Sequence, residues 1–130
     1  MKSNLDLAKA LTTKAENDLK AAEIGLSHEA PLDTIAFHLQ QAAEKMLKAV
    51  LASRAILYPK THDLDDLLDL VPQELSEIHS FRARLLGWNS YAVEMRYETE
   101  VYPQQDEMQE ALKTAQDLHA AVLKLVRPSA

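Results

Sequence analysis

At about 100° of helical rotation per residue, His38, Gln41, Lys45 and Lys48 fall within one narrow arc. An imidazole, an amide and two ammonium groups in a row can receive a phosphate or a base. The competing reading is a solvated face, with Glu44 pairing to Lys48 at the favourable four-residue spacing. A second candidate is His62, which follows the turn Tyr58-Pro59-Lys60-Thr61 at the start of a helix. Its chemical role would be at a bundle end beside other polar groups, and its structural role would be capping or packing. The third is the stretch Tyr91-Ala92-Val93-Glu94-Met95-Arg96-Tyr97. The planar fork of Arg96 suits paired hydrogen bonds to phosphate, and an arginine near a helix C-terminus can equally bond the last carbonyls. His28 and His79 have no companions, and His119 lies beside an apolar stripe, where packing is the expected role.

Several chemistries are excluded by what is missing. No glutamate is followed three residues later by histidine, so the di-iron bundle pattern is absent. Neither the zinc-helix motif HExxH, the Walker phosphate loop nor GxGxxG occurs, and only two glycines, Gly25 and Gly87, are available for tight phosphate-cradling turns. The absence of cysteine removes disulfides, thiolate catalysis and cysteine-bound zinc. Neither a metal nor a cofactor is expected. The net charge of −6 argues against attraction of nucleic acid to the whole surface, but leaves room for a local basic patch. No apolar run approaches the roughly 18 residues of a membrane span. Lys2, Asp6 and Lys9 interrupt the first ten residues, unlike the apolar core of a signal peptide. A cytoplasmic protein without membrane contact is therefore expected.

These groups must be positioned by helices. Residue types that favour helix are abundant, and 130 residues suit one domain spanning 1–130. Residues 5 to about 26 predict a first helix, with Leu7, Ala10, Leu11, Ala15, Leu19, Ala22 and Leu26 at helical spacing and Gly25, His28 and Pro31 marking its end. Residues 32 to about 55 predict a second. Ile35, Leu39, Ala42, Met46 and Val50 form one stripe, and Phe37, Leu47 and Leu51 form another on the far side. A helix apolar on two sides is central or shared with another subunit. Thr61 or His62 opens a short third helix to about Leu70, with Asp63, Asp65 and Asp66 near its positive end. Residues 73–86 predict a fourth, striped by Ile78, Phe81 and Leu85. Residues 88–97 read as helix or irregular turn and 98–103 as loop. Pro103 then opens a last helix lined by Met108, Leu112, Ala115, Val122 and Val126. The fold class is all-α, an antiparallel up-and-down bundle of four to five helices.

Three segments together resemble the HEPN family. They are Phe37-His38-Leu39-Gln40-Gln41-Ala42-Ala43-Glu44-Lys45-Met46-Leu47-Lys48-Ala49-Val50-Leu51, then Thr61-His62-Asp63-Leu64 with Leu67 and Leu68, then the run from Ala92 to Arg96-Tyr97. Their order and spacing match the family's second helix, third helix and arginine region, and the resemblance runs from Leu5 to Val126. It implies a helical bundle that forms homodimers, binds nucleotide or RNA, and acts with a minimal nucleotidyltransferase partner in a toxin–antitoxin-like pairing. The phosphate- or nucleotide-binding candidates are then Arg96, His38, Gln41, Lys45, His62 and Tyr102, with the α-helical stripe and His62 lining one groove. Nuclease members of the family carry an arginine followed after four to six residues by histidine. Here Arg96 is followed at those positions by Val101, Tyr102 and Pro103. Tyr102, with an ordinary pKa of about 10, is a poor proton carrier near neutrality. The resemblance therefore implies binding rather than cleavage. The alternatives are a metal-independent ribonuclease using His62 or Tyr102 as proton carrier, and an interaction module whose surface is the strip Phe37, Leu47, Leu51.

Overall fold

The computed structural model describes residues 3–92 and 103–127. The described residues form α1 (Asn4–Ser27), α2 (Leu32–Ser53), α3 (Leu64–Leu70), α4 (Ser76–His79), a 3₁₀ helix (Trp88–Tyr91) and α5 (Gln105–Val126). There is no strand among them. The architecture is the all-helical bundle that the periodicity predicts. α2 is its centre, in contact with α1, α5, α3 and the 3₁₀ helix. The start of α1 meets the ends of α2 and α5 around one cleft, so α1 runs antiparallel to both.

The two apolar sides of α2 are both used inside the chain. Leu39, Met46, Leu47, Val50 and Leu51 are fully buried. This removes Leu47 and Leu51 as parts of an exposed interaction strip, since neighbouring helices already cover them. Only Phe37 of that strip remains half-buried.

α1 starts with Ser3, whose hydroxyl accepts from the Asp6 N–H while the Asp6 carboxylate accepts from the Ser3 N–H. Its buried line is Ala8, Thr12, Ala15, Leu19, Ala22 and Gly25, which keeps Ala15, Leu19 and Ala22 of the predicted stripe but has Ala8 and Thr12 in place of Leu7 and Leu11. Leu7 is exposed and Leu11 half-buried. Small residues bring α1 close to α2, and a Cβ on Gly25 would sit 3.1 Å from Ile35 Cγ1 and 3.3 Å from Ala30 Cβ. Gly25 is thus a contact residue within α1 rather than its terminator.

Two helix ends use a left-handed residue that is not glycine. Ala55 has φ 58° beyond α2, where Ile56 N–H donates to Leu51 O and Ala55 N–H to Ala52 O. Glu29 has φ 57° beyond α1, with Ala30 N–H donating to Gly25 O. Both fit the reverse-bonded helix ending that usually takes glycine.

The predicted fourth helix over 73–86 is largely replaced by irregular turns. Only Ser76–His79 is α-helical. Ser80 Oγ donates to Glu77 O at 2.5 Å, and the Phe81 N–H that would have taken that carbonyl donates to Ile78 O instead. Ile78, Phe81 and Leu85 nonetheless stay buried. Gly87, at φ 88°, ends the path and leads into the 3₁₀ helix. α5 begins at Gln105, two residues later than Pro103 suggested, with Gln104 as its cap and Glu107 closing the capping box.

Candidate functional site

The polar stripe of α2 becomes two clusters. In the first, Asp18 of α1 joins two stripe residues seven positions apart. His38 Nδ1 lies 2.9 Å from Asp18 Oδ1, and Lys45 Nζ lies 2.5 Å from Asp18 Oδ2. All three side chains are part-buried at the α1–α2 seam.

The second cluster is built on Glu44, whose side chain is 5% exposed. Its carboxylate accepts from Lys48 Nζ at 2.9 Å, binds His62 Nδ1 at 2.9 Å and accepts from Gln40 Nε2 at 3.4 Å. Burial pushes the Glu44 carboxyl up, but hydrogen bonds and charge from Lys48 and His62 outweigh it and hold the carboxyl below its ordinary value. Gln40, fully buried, also donates to the His62 carbonyl at 3.0 Å and accepts from Gln41 Nε2 at 2.8 Å. Lys48 stands over the Tyr58 ring, 5.7 Å from its centroid. α3 is fixed next to this cluster. Asp63 caps it by accepting from the Asp65 and Asp66 N–H groups, and Asn89 Oδ1 accepts from Leu64 N–H at 2.9 Å.

The result is an imidazole bound at Nδ1 by buried Glu44, in a residue whose backbone carbonyl is held by buried Gln40, four positions earlier on α2. The His62 side chain is 70% exposed, and its Nε2 has no partner among the described residues. Such a ring can donate to a phosphate oxygen or accept a proton, depending on its charge.

His62 and Gln41 therefore share the Glu44–Gln40 cluster, while His38 and Lys45 share the Asp18 cluster. Among the described residues no hydrogen bond joins the two clusters. Arg96, Tyr97 and Tyr102 lie outside the described residues. The three remaining histidines have local partners. His28 Nδ1 is 3.0 Å from Ile24 O, His79 Nε2 is 2.9 Å from Val71 O, and His119 Nε2 is 2.8 Å from Glu16 Oε2. Tyr91 hydrogen-bonds Glu107, and burial together with that carboxylate pushes the phenol well above its ordinary value. Among the described residues no three histidine or carboxylate side chains gather as metal ligands, and no helix is long and apolar enough to cross a membrane.

Asp18 and Gln40 were not singled out by sequence reasoning. Gln40 carried a signal, being a polar residue beside the apolar stripe position Leu39. Asp18 carried none, because its role depends on how α1 is rotated against α2.

Comparison with known proteins adds the family. The family model described as the HEPN domain matches residues 8–125. The crystal structure of an archaeal HEPN homologue aligns with a TM-score of 0.69, covering 98% of this chain and 100% of that one at 21% identity. That is a likeness of fold. No curated protein matches the chain.

Proposed function

The chain belongs to the HEPN domain family, and from that premise we propose that it is a nucleotide- or RNA-binding module. In this reading it works as a homodimer with a minimal nucleotidyltransferase partner, in a toxin–antitoxin-like pairing. The observation that carries the binding reading is the exposed His62 imidazole, bound at Nδ1 by buried Glu44 while buried Gln40 holds the backbone carbonyl of the same residue, beside a helix rich in donors. A ring held this way has little rotamer freedom left to lose when a phosphate arrives. Arg96 supplies the second phosphate contact, with Gln41 alongside. His38 and Lys45 already share Asp18, so they act by shaping the local potential more than by direct contact.

The same observation favours a second reading, ribonuclease activity without metal. His62 Nε2 would take the proton of a ribose 2′-hydroxyl as its oxygen attacks the adjacent phosphorus and the bond to the 5′-oxygen breaks, the leaving oxygen then taking up a proton. Glu44 would hold the ring. The missing histidine after Arg96 counts against this reading.

One experiment separates the two. Purified protein in chelator is titrated with nucleotides and a short RNA, following both binding and chain cleavage, for the native sequence, Arg96→Ala and His62→Gln. Binding that weakens in both variants without cleavage is the expected result. Cleavage that disappears in both variants makes the protein a ribonuclease. Native protein that neither binds nor cleaves removes the reading.

A further inference from the structure

A cleft of about 590 Å³ opens at the end of the bundle where α1 begins and α2 and α5 end. It lies about 12 Å along α2 from Lys45, at 1.5 Å per residue, and plays no part in the site described above. Its size falls in the range of small-molecule sites, roughly 300–1,000 Å³. Leu5, Leu125 and Val126 supply its apolar lining, and Lys9, Arg54 and Arg127 its cations. Ser53 completes it, and among the described residues no carboxylate lines it.

Three cations line this one cleft, and not all of them are paired with a carboxylate among the described residues. Arg82 pairs with Asp65 and Asp69, Arg84 with Asp117, and Arg127 with Glu16. Arg54 has no carboxylate partner among the described residues, and neither does Lys9. Three cations converging on one cleft give it a positive local potential that favours an anion. A helix C-terminus tolerates one such cation, since it complements the dipole. Arg54 and Arg127 cap α2 and α5 in that way. Lys9 stands in the first third of α1, where no helix end explains it.

We propose that this cleft is a binding site for a small amphipathic anion, a carboxylate or phosphate head on an aliphatic body. The head would sit between Lys9 and Arg54, with Arg127 at the edge already shared with Glu16. The body would cover Leu5, Leu125 and Val126. Leu5 is 47% exposed, a large apolar side chain that such a ligand would shield. Among the described residues no aromatic ring lines the cleft, so a nucleobase would find none of them to stack on. This separates the site in chemistry as well as in place from the nucleotide-binding reading.

The test uses the full chain with labelled methyl groups, titrated with hexyl phosphate, hexanoate, hexanol and inorganic phosphate. The native protein and the variants Arg54→Gln and Lys9→Gln are followed by NMR and by thermal melting. Saturable shifts of the Leu125 and Val126 methyls with hexyl phosphate or hexanoate are expected. Whichever anion binds more tightly identifies the head group. Each variant should weaken that binding about tenfold, the loss of one charge-assisted contact, while RNA or nucleotide titration is unchanged. Hexanol binding as tightly as the anions would overturn the role of the cations. Inorganic phosphate binding as tightly as hexyl phosphate would overturn the role of the apolar lining. Unshifted methyls, or variants that bind like the native protein, would overturn the site itself.

Discussion

The middle of α2 and its C-terminal end carry similar cations and treat them in opposite ways. At the middle, Lys45 and Lys48 each reach a shielded carboxylate, Asp18 at 13% exposure and Glu44 at 5%. At the end, Arg54 reaches none among the described residues. A charge taken out of water must be matched by a partner, because an isolated buried ion costs several kcal/mol. A charge left at a cleft mouth stays hydrated and incurs no such cost. The middle is therefore a structural seam with one exposed product, the His62 ring. At the end, Arg54 and Lys9 have no carboxylate partner among the described residues, as the proposed anion site requires.

The largest test of that contrast is Glu44→Ala. It strips Lys48, His62 and buried Gln40 of a shared acceptor, and chemical denaturation should show a loss of about 3 kcal/mol. Glu44→Gln should lose less, since the amide oxygen can still accept one bond. A loss under about 1 kcal/mol for Glu44→Ala would mean that the seam is no more structural than an ordinary surface pair.

Acid should act on the same residue. The folded Glu44 carboxyl lies below its ordinary value of 4.5. Its stabilisation is therefore present above 4.5 and is lost as pH falls through that value and beyond. Between about pH 5 and pH 3 the native protein should lose melting temperature more steeply than Glu44→Gln. Equal slopes would show that other carboxylates govern acid unfolding.

Asp18→Asn should cost about 1 kcal/mol, less than Glu44→Ala, because its partners are part-exposed and remain hydrated when it is neutralised. Ala55→Gly, at the end of the same helix, should have the opposite sign. It relieves a left-handed alanine and should stabilise the protein by roughly 1 kcal/mol in the same assay. The smallest effect is expected of Arg54→Gln, within about 0.5 kcal/mol, since no carboxylate among the described residues is orphaned by it. A larger destabilisation would show that Arg54 is a structural cation after all, which would erase the contrast between middle and end.

Much of this molecule follows from local pattern alone. The positions of α1, α2, α3 and α5 are legible in the spacing of apolar residues, because each long helix buries a face that repeats every 3.6 residues. The central place of α2 is legible in its second apolar strip. The Glu44–Lys48 pair is legible too, since it joins residues a turn apart, whereas α3 starts at Leu64 with Asp63 as its cap and not at Thr61 or His62 as expected. The family follows from three short segments whose order is fixed in the chain. What local pattern missed depends on non-local geometry. The helix expected over 73–86 gives way to irregular turns after His79 although Ile78, Phe81 and Leu85 stay buried. The rotation of α1 that buries Ala8 and Thr12 in place of Leu7 and Leu11 comes from how closely small residues let α1 approach α2. That same rotation delivers Asp18 to His38 and Lys45. The fixing of His62 joins residues 18 and 22 positions apart, and the cleft joins three helix ends. Periodicity determines which face of a helix is apolar. Only packing decides which carboxylate each cation meets, and which cations meet none.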